Sequence, residues 1–178
     1  GRDAARAVND GMAAAVASQP DRFVGMGTVP LQNAEMAIAE MRRCVAELDL
    51  RGIEISSNVN GEDLHAERLR PFWAAAEELG VLIFLHPLGF TQGQRMSEYY
   101  FNNLIGNPLD TTIAAASLVF GGVIERYPNI RFYMVHGGGF TPYQAGRWQH
   151  GWHVRPEPKV NLKYPPAETI RTFYWDTI

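Results

Sequence analysis

The chain has 178 residues, 46% of them hydrophobic and 20% charged, with a net charge of −3, which suits one sizeable core in an ordinary globular domain. Charges of both signs are interspersed, which argues against a nucleic-acid or membrane surface as partner, and no apolar run approaches the roughly 20 residues of a membrane-spanning helix. The only cysteine, Cys44, excludes an internal disulfide and fits a reducing cytoplasm.

Residues 3–18 are alanine-rich and predict a helix, with Gly11 as a soft spot and Pro20 and Asp21 as its stop. Arg22 to Pro30 (RFVGMGTVP) predicts a strand whose glycines allow close packing. Asn33 is placed to cap a helix with Ile38, Met41, Val45 and Leu48 on one stripe. Arg51 to Ser56 predicts the next strand, and Asn58, Asn60 and Gly61 its turn. Pro71 suits the first turn of a helix to Leu79, which Gly80 ends. Val81 to Pro87 (VLIFLHP) is an apolar strand closed by His86 and a proline. Residues 87–107 are rich in glycine, aromatics and amides without periodicity, and predict an excursion over a site. A helix is expected from Asp110 through Ile124, closed by Pro128 and Asn129. Ile130 to Val135 has the composition of a buried strand and ends in His136 and three glycines. Thr141 and Pro142 start a short helix carrying Arg147, and Arg171 to Ile178 predicts a last strand with Asp176 near its end.

Strands therefore start near residues 23, 52, 81, 130 and 172, with helices between the earlier ones. That alternation is the pattern of parallel βα units. The strands ending at His86 and His136 are apolar on both faces, as a doubly covered parallel sheet requires. Five such units fit an open sheet or part of a barrel. A complete (β/α)8 TIM-type barrel takes about 250 residues, so the expectation is an incomplete barrel, one domain over 1–178.

Two strands that each deliver a histidine at the carboxyl end place chemistry where α/β folds carry it. A neutral imidazole binds zinc, yet catalytic zinc takes three protein ligands, so His86 alone cannot hold one. On local pattern, a strand-end histidine is more often structural than a ligand. His136 reads as an acid/base residue or as a hydrogen-bonded strand end; its glycines match neither a phosphate-binding P-loop nor GxGxxG. Arg147 offers a planar fork for a carboxylate, although a lone helical arginine is more often a surface residue. His65 reads as solvent-facing and His150 and His153 as structural. Glu54 is positioned to point inward with its role open, and Trp148, Trp152, Tyr99 and Tyr100 suit packing or an interface.

Four blocks, RFVGMGTVPLQ, RGIEISSNVNG, PFWAAAEELGVLIFLHP and VHGGG…GRWQHGW…RP, resemble the amidohydrolase-related decarboxylases in order and approximate spacing. The resemblance implies a metal-dependent (β/α)8 barrel performing non-oxidative decarboxylation of an unsaturated or aromatic carboxylate, as a homodimer. It implies that His86 is a metal ligand and that His136 is the acid/base that activates metal-bound water. It further implies that Arg147 reaches the substrate carboxylate of the neighbouring subunit. One divalent metal is expected, zinc first and manganese second. The family's first-strand His-x-His pair, its eighth-strand aspartate and a second carboxylate-binding arginine have no counterpart here, so the chain corresponds to strands three to seven of eight. Asp176 lies one strand too early for the metal aspartate and is expected to act at most behind the ligands. The same site residues would serve a metal-dependent hydrolase or hydratase, and an inactive partial barrel is the third expectation. Strands three and seven are then expected to be unpaired edges, which invite aggregation.

Overall fold

The computed structural model describes residues 1–88 and 93–177. Its strands are β1 (Met26–Thr28), β2 (Gly52–Ile55), β3 (Asn58–Val59), β4 (Glu62–Asp63), β5 (Leu82–Leu85), β6 (Arg131–Met134) and β7 (Tyr174–Trp175). Five of them form one parallel sheet in the order β1-β2-β5-β6-β7, while β3 and β4 pair as a small antiparallel hairpin. The helices are α1 (Arg2–Ser18), α2 (Ala34–Ala46), α3 (Arg70–Leu79), α4 (Asn107–Phe120), α5 (Val123–Arg126), α6 (Thr141–Val154) and α7 (Pro166–Thr169).

Two observations decide between an open sheet and a barrel. A doubly wound sheet reverses its strand order at a switch point, whereas here each new strand adds to the same side of the last. Among the described residues, helices also cover only one face. The ladder rungs Ile53–Ile83–Phe132 and Ile55–Leu85–Met134 are buried against Met41 and Cys44 of α2, Trp73 of α3 and Leu118 of α4. The Trp73 ring lies 5.6 Å from that of Phe132. The alternating rung Glu54–Phe84–Tyr133 carries the other face, which is more open, with Phe84 and Tyr133 stacked at 5.3 Å. The sheet is thus not covered by helices on both faces, as its apolar strands suggest; its second face is a barrel interior. The fold is part of a (β/α)8 barrel.

Local signals explain most elements. Asn33 Oδ1 accepts the Met36 N–H at 2.9 Å, and α2 starts there. Its deepest line is Ala37, Met41 and Cys44, with Ile38, Val45 and Leu48 packed at the margin. Gly80 takes φ 63° and closes α3. Asn60 and Gly61, at φ 55° and 84°, make the two-residue turn of the β3–β4 hairpin, the positive-φ pair such turns need.

Several elements differ from expectation. The strand expected over 22–30 is only β1, because Phe23 and Val24 are exposed before it. The helix expected from Asp110 to Ile124 starts earlier and breaks at Gly121 and Gly122. Gly122 has φ 73°, and a side chain at Gly121 would overlap His65. The expected excursion over 87–107 includes residues 89–92, outside the described residues, and ends in a π-helical turn, Asn102–Gly106, that leads into α4. The last strand shrinks to β7, and α6 is a full 14 residues long. The edge of β1 is not bare: on the side away from β2, Asn9 of α1 takes Thr28 N–H at 2.8 Å and gives Nδ2–H to Thr28 O at 2.9 Å. A fully buried side-chain amide thus stands in for a neighbouring strand.

Candidate active site

The site starts from four consecutive residues with positive φ. His136, Gly137, Gly138 and Gly139 have φ of 59°, 58°, 75° and 62°. Left-handed backbone costs a residue with a Cβ about 1–2 kcal/mol, so three of the four are glycine. A Cβ at Gly138 would overlap the Trp175 ring, and one at Gly139 would run into the Pro108 carbonyl. His136 is the exception, and its turn is held from β7: Asp176 Oδ2 accepts the His136 N–H at 3.0 Å and Oδ1 accepts the Gly137 N–H. Backbone strain of this kind persists where its surroundings hold it, and it concentrates at functional sites.

His86 extends β5 by one residue, donating its N–H to Ile55 O at 3.0 Å. Its ring stacks over Phe84 at 6.5 Å and lies 5.2 Å from the His136 ring. Adjacent parallel strands thus bring the two predicted histidines together. His136 Nδ1 sits 3.0 Å from Thr111 Oγ1. Burial holds the His136 pKa below its ordinary value, and the neighbouring His86 adds to this against the opposing pull of Asp176. Beside the histidines opens a cleft of about 630 Å³ lined by Thr28, Glu54, Ser56, Asn58, Asn60 and His86. Glu54 faces this cleft, on the inward side of β2.

The first turn of α4 supplies residues that the sequence reading missed. Asp110 is buried and accepts a hydrogen bond from the Ser57 hydroxyl, with Asn58 Nδ2 at 3.5 Å. Burial raises its pKa despite the lowering effect of those two partners. The signal available in sequence was the run of three polar residues, Asp110 to Thr112, at the start of an otherwise apolar helix.

Arg147 is not part of this cluster. It is exposed on α6, with no hydrogen-bond or ion-pair partner among the described residues. His65 is exposed and bonded to Ser117 at 2.9 Å, and His153 pairs with Gln149 on the surface. No three histidine, cysteine or carboxylate side chains converge among the described residues. The donor set for a catalytic metal is therefore incomplete among the described residues.

The family model for amidohydrolases (Amidohydro_2) matches residues 2–163. The chain belongs to that family. It is 41% identical over 177 residues to 2-amino-3-carboxymuconate-6-semialdehyde decarboxylase from Dictyostelium discoideum, covering 99% of this chain and 49% of the relative. Among solved structures, 5-carboxyvanillate decarboxylase LigW from Sphingomonas paucimobilis superimposes with a TM-score of 0.90 at 29% identity, over 98% of this chain and 54% of the other. A dihydroxybenzoic acid decarboxylase from Polaromonas sp. JS666, with bound manganese and 2-nitroresorcinol, gives 0.85 at 26% identity over 98% and 56%. The chain spans about half the length of these family members. No described helix is long and apolar enough to cross a membrane.

Proposed function

We propose that the whole protein is a metal-dependent, non-oxidative decarboxylase of an unsaturated or aromatic carboxylate resembling 2-amino-3-carboxymuconate-6-semialdehyde. The observation that carries this reading is the His86–His136 pair, with rings 5.2 Å apart at the ends of neighbouring strands. Its family setting adds support. The stacked Phe84 and Tyr133 on the same face of the sheet suit a flat substrate.

In this reaction the bond between the carboxylate carbon and its neighbour breaks, carbon dioxide leaves, and the electron pair stays on the neighbouring carbon. That carbon then takes a proton. His136 is the proposed carrier. Its depressed pKa makes the protonated ring a stronger acid, which gives up its proton to carbon and is recharged from solvent.

A divalent metal, when bound, supplies positive charge against the negative charge developing on the substrate. His86 is the donor this chain would contribute, and the remaining donors are proposed to lie outside these residues. Zinc suits imidazole donors, and the manganese in the Polaromonas structure makes that ion the second choice. Arg147, exposed and unpaired among the described residues, is proposed to bind a substrate carboxylate in the other subunit of a homodimer. Its lone cysteine, Cys44, is fully buried, which supports a place in the cytoplasm.

The test incubates the purified whole protein with 2-amino-3-carboxymuconate-6-semialdehyde and with 5-carboxyvanillate, following products by mass spectrometry. Loss of carbon dioxide from either is the expected result. Gain of water by the same substrates would replace the lyase with a hydrolase or hydratase.

A further inference from the structure

Asp110, Thr111 and Thr112 are consecutive, buried and polar, and between them they reach two loops of the site face. Asp110 takes the Ser57 hydroxyl behind β2. Thr112 Oγ1 accepts the Phe140 N–H at the head of α6 at 2.7 Å and donates to Pro108 O at 2.8 Å. Thr111 is fully buried and bonds through its hydroxyl to His136 Nδ1 alone among the described residues. One helical turn therefore fixes the loops behind β2 and β6 and the start of α6.

The Thr111 hydroxyl also decides the state of the His136 ring. A buried hydroxyl hydrogen without an acceptor is costly, and such groups are almost always satisfied. Thr112 sends its hydrogen to a carbonyl four residues earlier, but among the described residues no carbonyl takes that of Thr111. The acceptor left is Nδ1. A nitrogen that accepts carries no proton, so the neutral ring bears its proton on Nε2.

We propose that Thr111 is a positioning residue that holds neutral His136 as its Nε2–H tautomer, making the free ring nitrogen a hydrogen-bond donor toward the substrate. This deepens the reading of His136 given above and rests on it. A metal ligand must offer a lone pair. In this tautomer His136 offers none at Nε2, which leaves ligation to His86 and separates the roles of two adjacent histidines. When the ring takes a second proton at Nδ1, the Thr111 hydroxyl turns and accepts it, since a hydroxyl serves as donor or acceptor.

The test is two-bond 1H–15N correlation NMR on the full chain labelled with 15N-histidine, at a pH where the ring is neutral, with His136→Ala identifying the signals. A protonated Nε2 and an unprotonated Nδ1 are expected. Thr111→Val keeps the shape and removes the hydroxyl. It should shift the ring toward the other tautomer and lower kcat about 10-fold with little change in KM, and Thr111→Ser should restore both. A purely structural role would lower the melting temperature of the valine variant and leave the tautomer alone. A proton on Nδ1 in the unsubstituted chain overturns the proposal without any variant, as does an unchanged tautomer in Thr111→Val. If the unsubstituted protein turns over no carboxylate, the decarboxylase reading fails while the NMR result still stands.

Discussion

Asp176 accepts the backbone N–H of His136 at 3.0 Å with one carboxylate oxygen, and its other oxygen takes the next N–H. The end of the last strand thus grips the histidine turn by its main chain, not by its ring. Both carboxylate oxygens of Asp176 are engaged by these two backbone bonds. They hold in place a residue with positive φ.

Removing that grip should loosen the turn. Asp176→Ala deletes both acceptors of two charge-assisted bonds, and a loss of about 3 kcal/mol in unfolding free energy is expected. Asp176→Asn keeps one acceptor oxygen and should lose about half as much. In both variants kcat should fall more than KM rises, because His136 is displaced while the cleft walls remain. Denaturant unfolding and steady-state kinetics check the prediction. Equal stability of all three proteins would mean that the carboxylate does not hold the turn.

The neighbouring glycines make a sharper comparison. Gly137 and Gly138 both have positive φ, but only Gly138 lies against the Trp175 ring. Gly137→Ala meets no atom within 4 Å and should cost about 1 kcal/mol of backbone strain alone. Gly138→Ala adds a clash with a packed ring and should cost about 3 kcal/mol or more. Thermal melts of the two variants decide it, and equal losses would show that Trp175 moves aside freely.

How much of this was legible in the sequence depends on the range of the force concerned. Asn33, Gly80 and the glycines after His136 act within a few residues, so their caps and turns could be read directly. The strand-end histidines were legible because apolar runs stop abruptly at each. Their juxtaposition was implied only by the family resemblance, since strand order is set by sheet pairing over tens of residues. Thr111, Asp110 and Ser57 escaped for the same reason. A polar residue in a helix looks alike whether it meets water or a half-buried histidine 25 positions away. Arg147 marks the opposite limit. Its role was inferred from family pattern, and among the described residues nothing brings it to His86 or His136.

Metal content separates the two histidines. One divalent ion per subunit is expected in the whole protein, and His86→Ala should abolish it, because catalytic sites hold few protein ligands. His136→Ala should retain the metal and lose turnover by about 100-fold or more. Elemental analysis paired with kinetics reads both effects. Full occupancy in His86→Ala would remove that residue from the ligand set.

The pH dependence of stability should trace to a group far from the site. Glu40 of α2 is almost fully buried and receives hydrogen bonds from Asn9 at 2.8 Å and from Arg43 at 2.7 Å, with Arg6 at 3.7 Å. Arg43 reaches on to Asp10, so the network ties α1 to α2 and, through Asn9, to the edge of β1. Burial pushes the Glu40 pKa up, but the Arg43 and Asn9 hydrogen bonds and the charges of Arg43 and Arg6 outweigh it. The folded value lies below the ordinary 4.5. A carboxyl with a depressed folded pKa contributes stability that is fully present above its unfolded value and lost as pH falls through the folded one. Glu40→Gln should therefore be less stable at neutral pH by about 2 kcal/mol, the scale of a buried hydrogen bond to a charged group. The gap to the unsubstituted chain should close on acidification below 4.5. Urea unfolding of both proteins across that range is the measurement. A gap that stays constant with pH would mean the network relies on the shape of the Glu40 side chain and not on its charge.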